Sequence, residues 1–287
     1  MFLESAEPLS IQLKGPITKV VRSKYKEIQH PFELTVDGET IAVMVNARGN
    51  SRKKLCKFPP IKISFSDDTQ GSTFSGVPSL RLVTHCGSPK SGNDKVVLEY
   101  LAYRIHTVLS DVSYRPRLLD ITYTDTSKPK KHKTYQGFGL VTESEHQMAE
   151  RVGGKLLDQT QVRRGELNQH SAGLVNLFHY LIGNTDWSLV APFNEDKCCH
   201  NGQLLTINQQ TYIAPYDFDL SGLVKARYAK PNPELPINRV TTRYYQGVCI
   251  KNQDPPVISS WAWEIPSKTC SSPPSRPTSI SSTPSPS

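Results

Sequence analysis

A two-residue turn near the N-terminus constrains the fold of this chain more than any other feature. Asp37 and Gly38 separate the segments 33–36 and 40–49, in which apolar residues alternate with other residues. Asp-Gly is a preferred sequence for the tight turn of a β-hairpin, and this alternation is typical of a strand with one buried face. The pattern predicts an antiparallel hairpin and a strand-rich first half of the chain.

Further strands and one helix are predicted in the same half. The apolar segments 59–66 and 80–86 read as strands, and 115–125 and 133–143 as a hairpin across a basic loop. Between them a helix is predicted to begin near Asn93 and Asp94, which are good capping residues. Its apolar face is predicted from residues at helical spacing, namely Val97, Leu101, Ile105 and Val108.

The character of the sequence changes near residue 144. Polar helical pieces are followed by an apolar helix that ends at Gly183 and Asn184, and then by a hairpin within 203–220. We predict an α+β fold with two lobes and a seam near residue 143. The boundaries are 1–143 for the β-rich lobe, 144–255 for the second lobe, and 256–287 for a Pro/Ser-rich tail. Residues 266–287 hold nine Ser, six Pro and three Thr, so we expect this tail to be disordered.

Charge and composition limit the partners. The net charge is +8 and the mean hydropathy is −0.44, which indicates a soluble globular chain with an anionic partner. The excess charge lies partly in two basic patches, 52–57 and 128–133, which solvated hairpin tips would also explain, the second more readily than the first. Neither patch has the interleaved aromatic residues of a nucleic-acid platform. Nucleic acid is therefore not the expected partner, and no apolar run is long enough to span a membrane.

The sequence does not decide the cellular compartment. Glu4 and Glu7 stand where an export signal needs basic residues and an unbroken apolar run, so we expect no signal peptide in the chain as given. An incomplete N-terminus would allow an extracytoplasmic location. The six Cys residues fit either disulfides or buried free thiols, and none forms a Cys-x-x-Cys pair.

Carboxylates follow two of the predicted apolar elements. Asp186 comes just after the apolar helix, and Asp217 and Asp219 follow the apolar segment at 212–216. Two like charges on one side of a strand repel each other unless a cation or hydrogen-bond donors separate them. Turn chemistry and solvation would explain each Asp alone, whereas a metal–phosphate site would explain the set.

Three stretches together resemble the CotH family of spore-coat-type secretory kinases, which have an atypical protein-kinase-like fold. They are RGNSRKKLCKFPPIKI (48–63), GNTDWS (183–188) with His200-Asn201 after it, and PYDFDLSGLV (215–224). The resemblance covers roughly residues 40–250. It implies a β-rich first lobe with one helix, and a short, mostly helical second lobe with a β-hairpin.

The resemblance also implies roles for individual residues, with ATP and Mg²⁺ as cofactors. Lys62 would contact the phosphates and Glu99 would hold that Lys, while Asp186 would position the hydroxyl of an unknown protein or small-molecule acceptor. Metal would be bound by Asn201 and Asp217, with Asp219 beside them. The nucleotide would also meet the loop of Arg48, Gly49, Asn50 and Ser51 and, at the seam, Glu143.

Three functions remain to be separated. The first is an ATP- and Mg²⁺-dependent phosphotransferase, and the second is a nucleotide-binding pseudokinase or interaction protein of the same fold. The third is a divalent-metal hydrolase that uses Asp186, His200, Asp217 and Asp219. For the first function we expect Lys62 and Asp217 to face each other across a cleft, with Glu99 in ion-pair reach of Lys62.

Overall fold

The chain is described here from a computed structural model. It covers residues 3, 5, 7–65, 69, 72–159, 162–189 and 199–247. The predicted tail from residue 256 onward lies outside these residues. The strands are β1 (Leu9–Gly15), β2 (His30–Val36), β3 (Glu39–Ala47), β4 (Ile61–Phe65), β5 (Ser79–Leu82), β6 (Pro116–Asp125), β7 (Lys133–Thr142), β8 (Lys155–Leu156), β9 (Gly202–Ile207) and β10 (Gln210–Pro215). The α-helices are α1 (Ile17–Arg22), α2 (Ser51–Leu55), α3 (Pro89–Leu109), α4 (Glu145–Arg151) and α5 (Gln169–Ile182).

The first seven strands form one curled sheet in the order β5-β4-β3-β2-β1-β6-β7. The predicted hairpin of β2 and β3 is confirmed, and both turn residues have the positive φ that its turn requires, 49° at Asp37 and 82° at Gly38. All neighbouring pairs are antiparallel except β1 with β6. The two edges meet at one bridge, where Val83 and Leu140 exchange both main-chain hydrogen bonds.

Alternation along the strands builds the main core. Leu13, Leu34, Ile63 and Leu119 are fully buried in one cluster, because every second side chain of a strand faces the same side of the sheet. Besides the strands, α1 and the loop residues Phe58 and Phe74 contribute to this core. The packed sheet therefore gives the segments of the candidate site a fixed support.

The α3 helix differs from its prediction in both its start and its buried face. It begins at Pro89 after Ser88, one turn earlier than predicted, and the Asn93 side chain accepts the Phe138 N–H at 2.9 Å. The predicted apolar face is half right: Val97 and Ile105 pack against the core, whereas Val108 is 83% exposed and Leu101 is also exposed. The buried face carries Val96, Glu99, Tyr100, Ala102, Tyr103 and His106. Glu99 on this face pairs with Arg52 and the Tyr103 hydroxyl accepts the Asp217 N–H, whereas His106 Nε2 has no hydrogen-bond partner among the described residues.

The described residues of the second half form α4, α5 and a three-stranded sheet in the order β10-β9-β8, so a mostly helical second lobe is not confirmed. The α+β class is thus confirmed. A second core cluster joins α3 to this half, because Tyr103 and Leu140 share it with Phe178 and Phe218. Residues on both sides of the predicted seam therefore pack into one core. No helix in the described ranges is both long and apolar enough to cross a membrane.

A disulfide joins Cys56 at the end of α2 to Cys86 in the loop before α3. The sequence left this pairing open. Its position ties the helix that carries Arg52 to the helix that carries Glu99, and both residues belong to the candidate site.

Removing this disulfide is expected to lower the free energy of unfolding by about 3–4 kcal/mol, the value for a closed loop of about 30 residues. The variants are Cys56→Ser, Cys86→Ser and the double variant, measured by urea denaturation under oxidising conditions. All three should lose similar stability, because either single change removes the whole bond. A double variant as stable as the wild type would contradict a structural role for the bond.

Candidate functional site

A cleft with a volume of about 730 Å³ lies against one edge of the curled sheet. Its walls are the loop between β3 and α2, strand β5, the end of β7 with the residues after it, and the turn after β10. Several residues predicted from the sequence line it, namely Arg48, Gly49, Asn50, Ser51, Glu99, Glu143 and Asp217. Residues separated by more than 150 positions in the chain are thus brought to one cavity.

The loop from Arg48 to Arg52 leads from β3 into α2 through a left-handed turn at Gly49. Gly49 has a φ of 89°, a conformation in which a residue with a side chain is strained. The Arg48 N–H holds the loop by donating to the Pro60 carbonyl at 2.8 Å. This turn lets the short α2 direct the Arg52 side chain inward, where it is buried.

Arg52 is the centre of the charged site. Its Nη2 lies 2.7 Å from Oε1 of Glu99 and 2.7 Å from Oδ1 of Asp217, and its Nε lies 2.8 Å from Oδ2 of Asp219. One guanidinium thus binds three carboxylates, which come from a helix and from the turn after β10. With all groups ionised the cluster would carry an excess of negative charge, which favours an additional cation or proton.

The pKa values of these groups reflect that excess. Burial raises the pKa of Glu99 to about 7, with the like charges of Asp219 and Asp217 adding to the rise while Arg52 opposes it. The pKa of Asp217 is also raised, first by burial and further by Asp219 and Asp186, again against Arg52. Solvent reaches 43% of the Asp217 side chain, which limits the part of this rise that burial causes.

The Asp-Phe-Asp segment follows β10 as a turn. The spacing of Asp217 and Asp219 predicts that both lie on one side of a strand. This prediction is wrong, because β10 already ends at Pro215. Phe218 is fully buried against Tyr103, with ring centroids 4.5 Å apart. Asp217 has a φ of 61°, and its N–H donates to the Tyr103 hydroxyl at 3.0 Å. A buried ring and a left-handed backbone thus turn both carboxylates toward Arg52.

The Gly183–Asp186 segment is fixed by its own hydrogen bonds. Gly183 ends α5 in the left-handed conformation, as predicted, with a φ of 64°. The Asn184 side chain accepts the Asp186 N–H at 3.0 Å and meets the His179 ring nitrogen at 3.2 Å. Trp187 stacks on His179 and donates to the Asn184 carbonyl. The order Gly-Asn-Thr-Asp-Trp therefore sets the direction of Asp186.

Asp186 lies within a small polar group with the two residues before β9. Its Oδ1 is 2.9 Å from His200 Nε2, and its Oδ2 accepts from Asn201 Nδ2 at 3.0 Å. Asn201 has a φ of 54°, and its carbonyl accepts the Tyr216 N–H, one residue before Asp217. Asp186 is close enough to Asp217 to raise its pKa. The structure therefore brings Asp186, Asn201 and Asp217 together.

Lys62 does not belong to this group. It lies on β4 opposite Asn46 and Arg81, is exposed, and does not line the cleft. The predicted ion pair of Lys62 with Glu99 is wrong, because Glu99 pairs with Arg52, and Lys62 also does not face Asp217 across the cleft. Alternation along β4 explains this, since Ile61 and Ile63 face the core and Lys62 must face outward.

Glu143 lines the cleft, but its carboxylate already has partners. Arg151 donates to both oxygens, at 2.6 and 3.1 Å, and the Arg115 N–H donates to one at 2.9 Å. Glu143 thus holds the chain just after β7 against α4.

The neighbouring Thr142 contributes main-chain polar groups to the cleft. The N–H and C=O of Leu140 bond to Val83 and therefore point away from β6. Thr142 lies two residues further along β7, so its N–H and C=O point the same way, toward the cleft.

Arg48 is a cation whose guanidinium has no hydrogen-bond acceptor among the described residues, although the charge of Asp217 is near enough to act on it. It is half-buried, lines the cleft, and makes no side-chain hydrogen bond or ion pair with any residue that the structure describes. Its pKa is lowered from the ordinary value, first by burial and then by Arg81 nearby. A guanidinium under these conditions is stabilised by any anion that enters the cleft.

No protein-family model matches this chain, and a search of curated proteins found no significant match. In the described part of the chain, no three or more His, Cys, Asp or Glu side chains are arranged to hold a metal ion. The chemistry of the site must therefore be inferred from its own geometry.

Sequence reasoning missed Arg52 as the central residue of the site. It stands in a basic run with Lys53 and Lys54, whose charge suggests an anionic partner and not a buried ion pair within the chain. The available signal was the excess of carboxylates. Lys62 was expected to pair with Glu99 alone, which leaves Asp217 and Asp219 without a cation from the protein. Tyr228, which donates to Asp219 at 2.6 Å, had no signal in the sequence.

The stability of the wild type relative to a Glu99→Gln variant is expected to fall as pH rises from about 5 to 8. The folded-state pKa of Glu99 is raised to about 7 from an ordinary value of 4.5, so in this window the folded protein binds more protons than the unfolded chain. Gln keeps the carbonyl that accepts from Arg52 and cannot ionise. Urea denaturation of both proteins across this range checks the result, and a constant difference would contradict it.

Proposed function

We propose that this chain binds Mg·ATP in the cleft and transfers the terminal phosphoryl group to a hydroxyl, as a CotH-like kinase with two lobes. What supports the proposal most is that one cavity contains the Arg48 guanidinium and the strand edge at Thr142, neither paired with any described residue, and has Asp217 on its wall. A nucleotide needs a cation for its phosphates, a polar edge for its base and a carboxylate for its metal ion.

The phosphate end of the proposed site is the Arg48–Arg52 loop. Arg48 gains an anionic partner when phosphate enters, and Gly49 leaves space because nothing lies within 4 Å of where a Cβ would be. Arg81 lines the same cleft, and its guanidinium pairs with the Glu145 carboxylate. In this proposal Arg48 has the role that the family resemblance implied for Lys62.

The base end is the edge of β7 with apolar residues around it. Val83, Leu140 and Tyr114 line the cleft beside Thr142. A purine presents a donor and an acceptor along one edge, which match one C=O and one N–H of a strand. Apolar walls with a few polar groups are typical of small-molecule sites.

The residues that would hold Mg²⁺ are Asp217 and Asn201. Both offer oxygen atoms, which this hard cation prefers, and the amide N of Asn201 is already used by Asp186, which leaves Oδ1 for the metal. When bound, the ion would neutralise charge on the transferring phosphate oxygens. The contact of Asp217 with Arg52 would have to loosen or be shared with the ion.

Asp186 is the residue proposed to act on the acceptor. Its carboxylate is oriented by His200 and Asn201 and can accept a proton. The acceptor oxygen would bond to the terminal phosphorus, its proton would pass to Asp186, and the bond from phosphorus to the ADP oxygen would break.

A pseudokinase is the second candidate, and one observation favours it. Oδ1 of Asp217 is occupied by the buried Arg52, which competes with a metal ion for that oxygen. The metal-hydrolase alternative has less support, because His200 is directed at Asp186 and the described residues contain no group of three metal ligands.

The test is a calorimetric titration of Mg·ATP into the wild type, with phosphoryl transfer followed in parallel. The variants are Arg48→Gln and Asp217→Asn, with Lys130→Gln in the exposed β6–β7 loop as the control of equal charge change. Arg48→Gln should weaken binding about tenfold, the effect of losing one charge-assisted contact. Asp217→Asn should remove the Mg²⁺ dependence of binding, and Lys130→Gln should change neither.

Each outcome separates the candidates. Binding with transfer supports the kinase, and binding without transfer to water or to a panel of hydroxyl acceptors supports the pseudokinase. No binding by the wild type, or equal weakening by Lys130→Gln, would overturn both and leave the cleft without a nucleotide.

A further inference from the structure

A second charged surface lies on the outer side of the α1 and α2 segments. We define the α1–α2 surface as residues 17–28 together with residues 51–57. Apart from the buried Arg52, both segments direct their cations outward or half outward, while Glu27 is the single acidic residue in either. These cations, besides Lys24, are Lys19, Arg22, Lys26, Lys53, Lys54 and Lys57.

Lys24 holds the two segments together. Its ammonium donates to the Cys56 carbonyl at the end of α2 at 3.1 Å, and it lies 5.2 Å from the centre of the Tyr25 ring. Tyr25 is therefore next to the end of α2, where Leu55 precedes Cys56. The surface is one continuous feature and not two separate basic runs.

Three apolar side chains stand on this surface among the cations. Tyr25 is 66% exposed, Leu55 is 55% exposed and Ile28 is 46% exposed. The α2 helix separates its functions by face, since Arg52 points into the charged site while Leu55 points out. Exposure of apolar groups of this size to water is unfavourable, and covering them lowers the free energy.

We propose that the α1–α2 surface binds the headgroup region of an anionic lipid bilayer. Cations attract the negative surface of the bilayer, and Tyr and aliphatic side chains enter the boundary between headgroups and acyl chains. This combination of seven cations with three exposed apolar residues fits a lipid interface better than a nucleic acid, because the surface offers one aromatic ring and no stacking series. The proposal does not depend on nucleotide binding in the cleft.

The geometry also separates this surface from the other basic patch of the chain. The β6–β7 loop carries Lys128, Lys130 and Lys131, all exposed, but none of the exposed large apolar residues belongs to it. It offers the same charge without the apolar part. This loop is therefore a matched control for the effect of charge alone.

The test is co-sedimentation of the full chain with vesicles of phosphatidylcholine alone and with about 30% phosphatidylserine. One variant replaces Lys53, Lys54 and Lys57 by Gln, and a second carries Tyr25→Ser and Leu55→Ser. The control replaces Lys128, Lys130 and Lys131 by Gln. All changed side chains are exposed or half-exposed, and equal melting temperatures verify that the variants fold.

The wild type should bind the anionic vesicles and not the neutral ones. The charge variant and the apolar variant should each lower the partition coefficient by about tenfold or more, while the control stays within about twofold of the wild type. Absence of binding to anionic vesicles would overturn the proposal, and so would equal loss in the control. An apolar variant that binds vesicles like the wild type would also overturn it, and would indicate a surface for another polyanion.

Discussion

Replacing Arg52 by methionine is expected to lower the free energy of unfolding by about 3–5 kcal/mol, the cost of breaking a buried ion pair from one side. The change leaves Glu99, Asp217 and Asp219 close together without the guanidinium that binds all three. Part of the cost is avoided by protonation, so the loss should be smaller at about pH 5 than at pH 8. Urea denaturation at both pH values measures it.

The control for this change is Lys54→Met, on the same helix but exposed, which should cost less than about 0.5 kcal/mol. Adding Glu99→Gln to Arg52→Met should restore part of the stability, because one of the unpaired charges is removed. Equal stability of Arg52→Met and Lys54→Met would show that the cluster is not held by Arg52. A double variant less stable than Arg52→Met would contradict the excess of negative charge.

The Asp186→Asn variant is expected to lower turnover by about 10²–10⁴-fold, the usual contribution of a positioned general base. Affinity for Mg·ATP should stay within about threefold, because the proposed role of Asp186 is at the acceptor and not at the nucleotide. The fold should be retained, since Asn can still accept from Asn201 and meet His200. Steady-state transfer and calorimetric titration of the same preparation measure the two effects.

The control for Asp186→Asn is Asp94→Asn at the start of α3, an exposed carboxylate paired with Lys95. It should leave both affinity and turnover unchanged. If Asp186→Asn lowered affinity and turnover to the same degree, Asp186 would act on nucleotide binding. The proposed assignment of roles between Asp186 and Asp217 would then be wrong.

Local signals predicted much of the fold. The Asp37–Gly38 turn and the left-handed Gly183 each depend on a few adjacent residues, so the sequence contains the whole cause. The parallel pairing of β1 with β6 could not be predicted, because residues more than a hundred positions apart must meet. The start of α3 was misplaced because Asn93 is used by Phe138, far away in sequence.

The candidate site was predictable to a similar degree. Asp186, Asn201 and Asp217 were recognised because short motifs surround them, and they do lie together. Lys62 was placed wrongly because alternation on β4 decides its direction, whereas Arg52 depends on a five-residue helix whose orientation follows from the turn at Gly49. Tertiary structure decides which cation of a basic run points inward, and the composition of the run does not predict it.

The single bridge between Val83 and Leu140 has a consequence for how this cleft can change over time. Past the bridge the wall of the cleft is main chain, and every amino acid at position 142 except proline supplies the same N–H and C=O. If the proposed nucleotide binds, its recognition at this end would therefore be insensitive to point substitutions of the side chain. At the opposite end, Arg48 is a single side chain that one codon change can remove. Variants with altered ligand preference should accordingly accumulate near the β3–α2 loop, while the strand edge stays functionally constant.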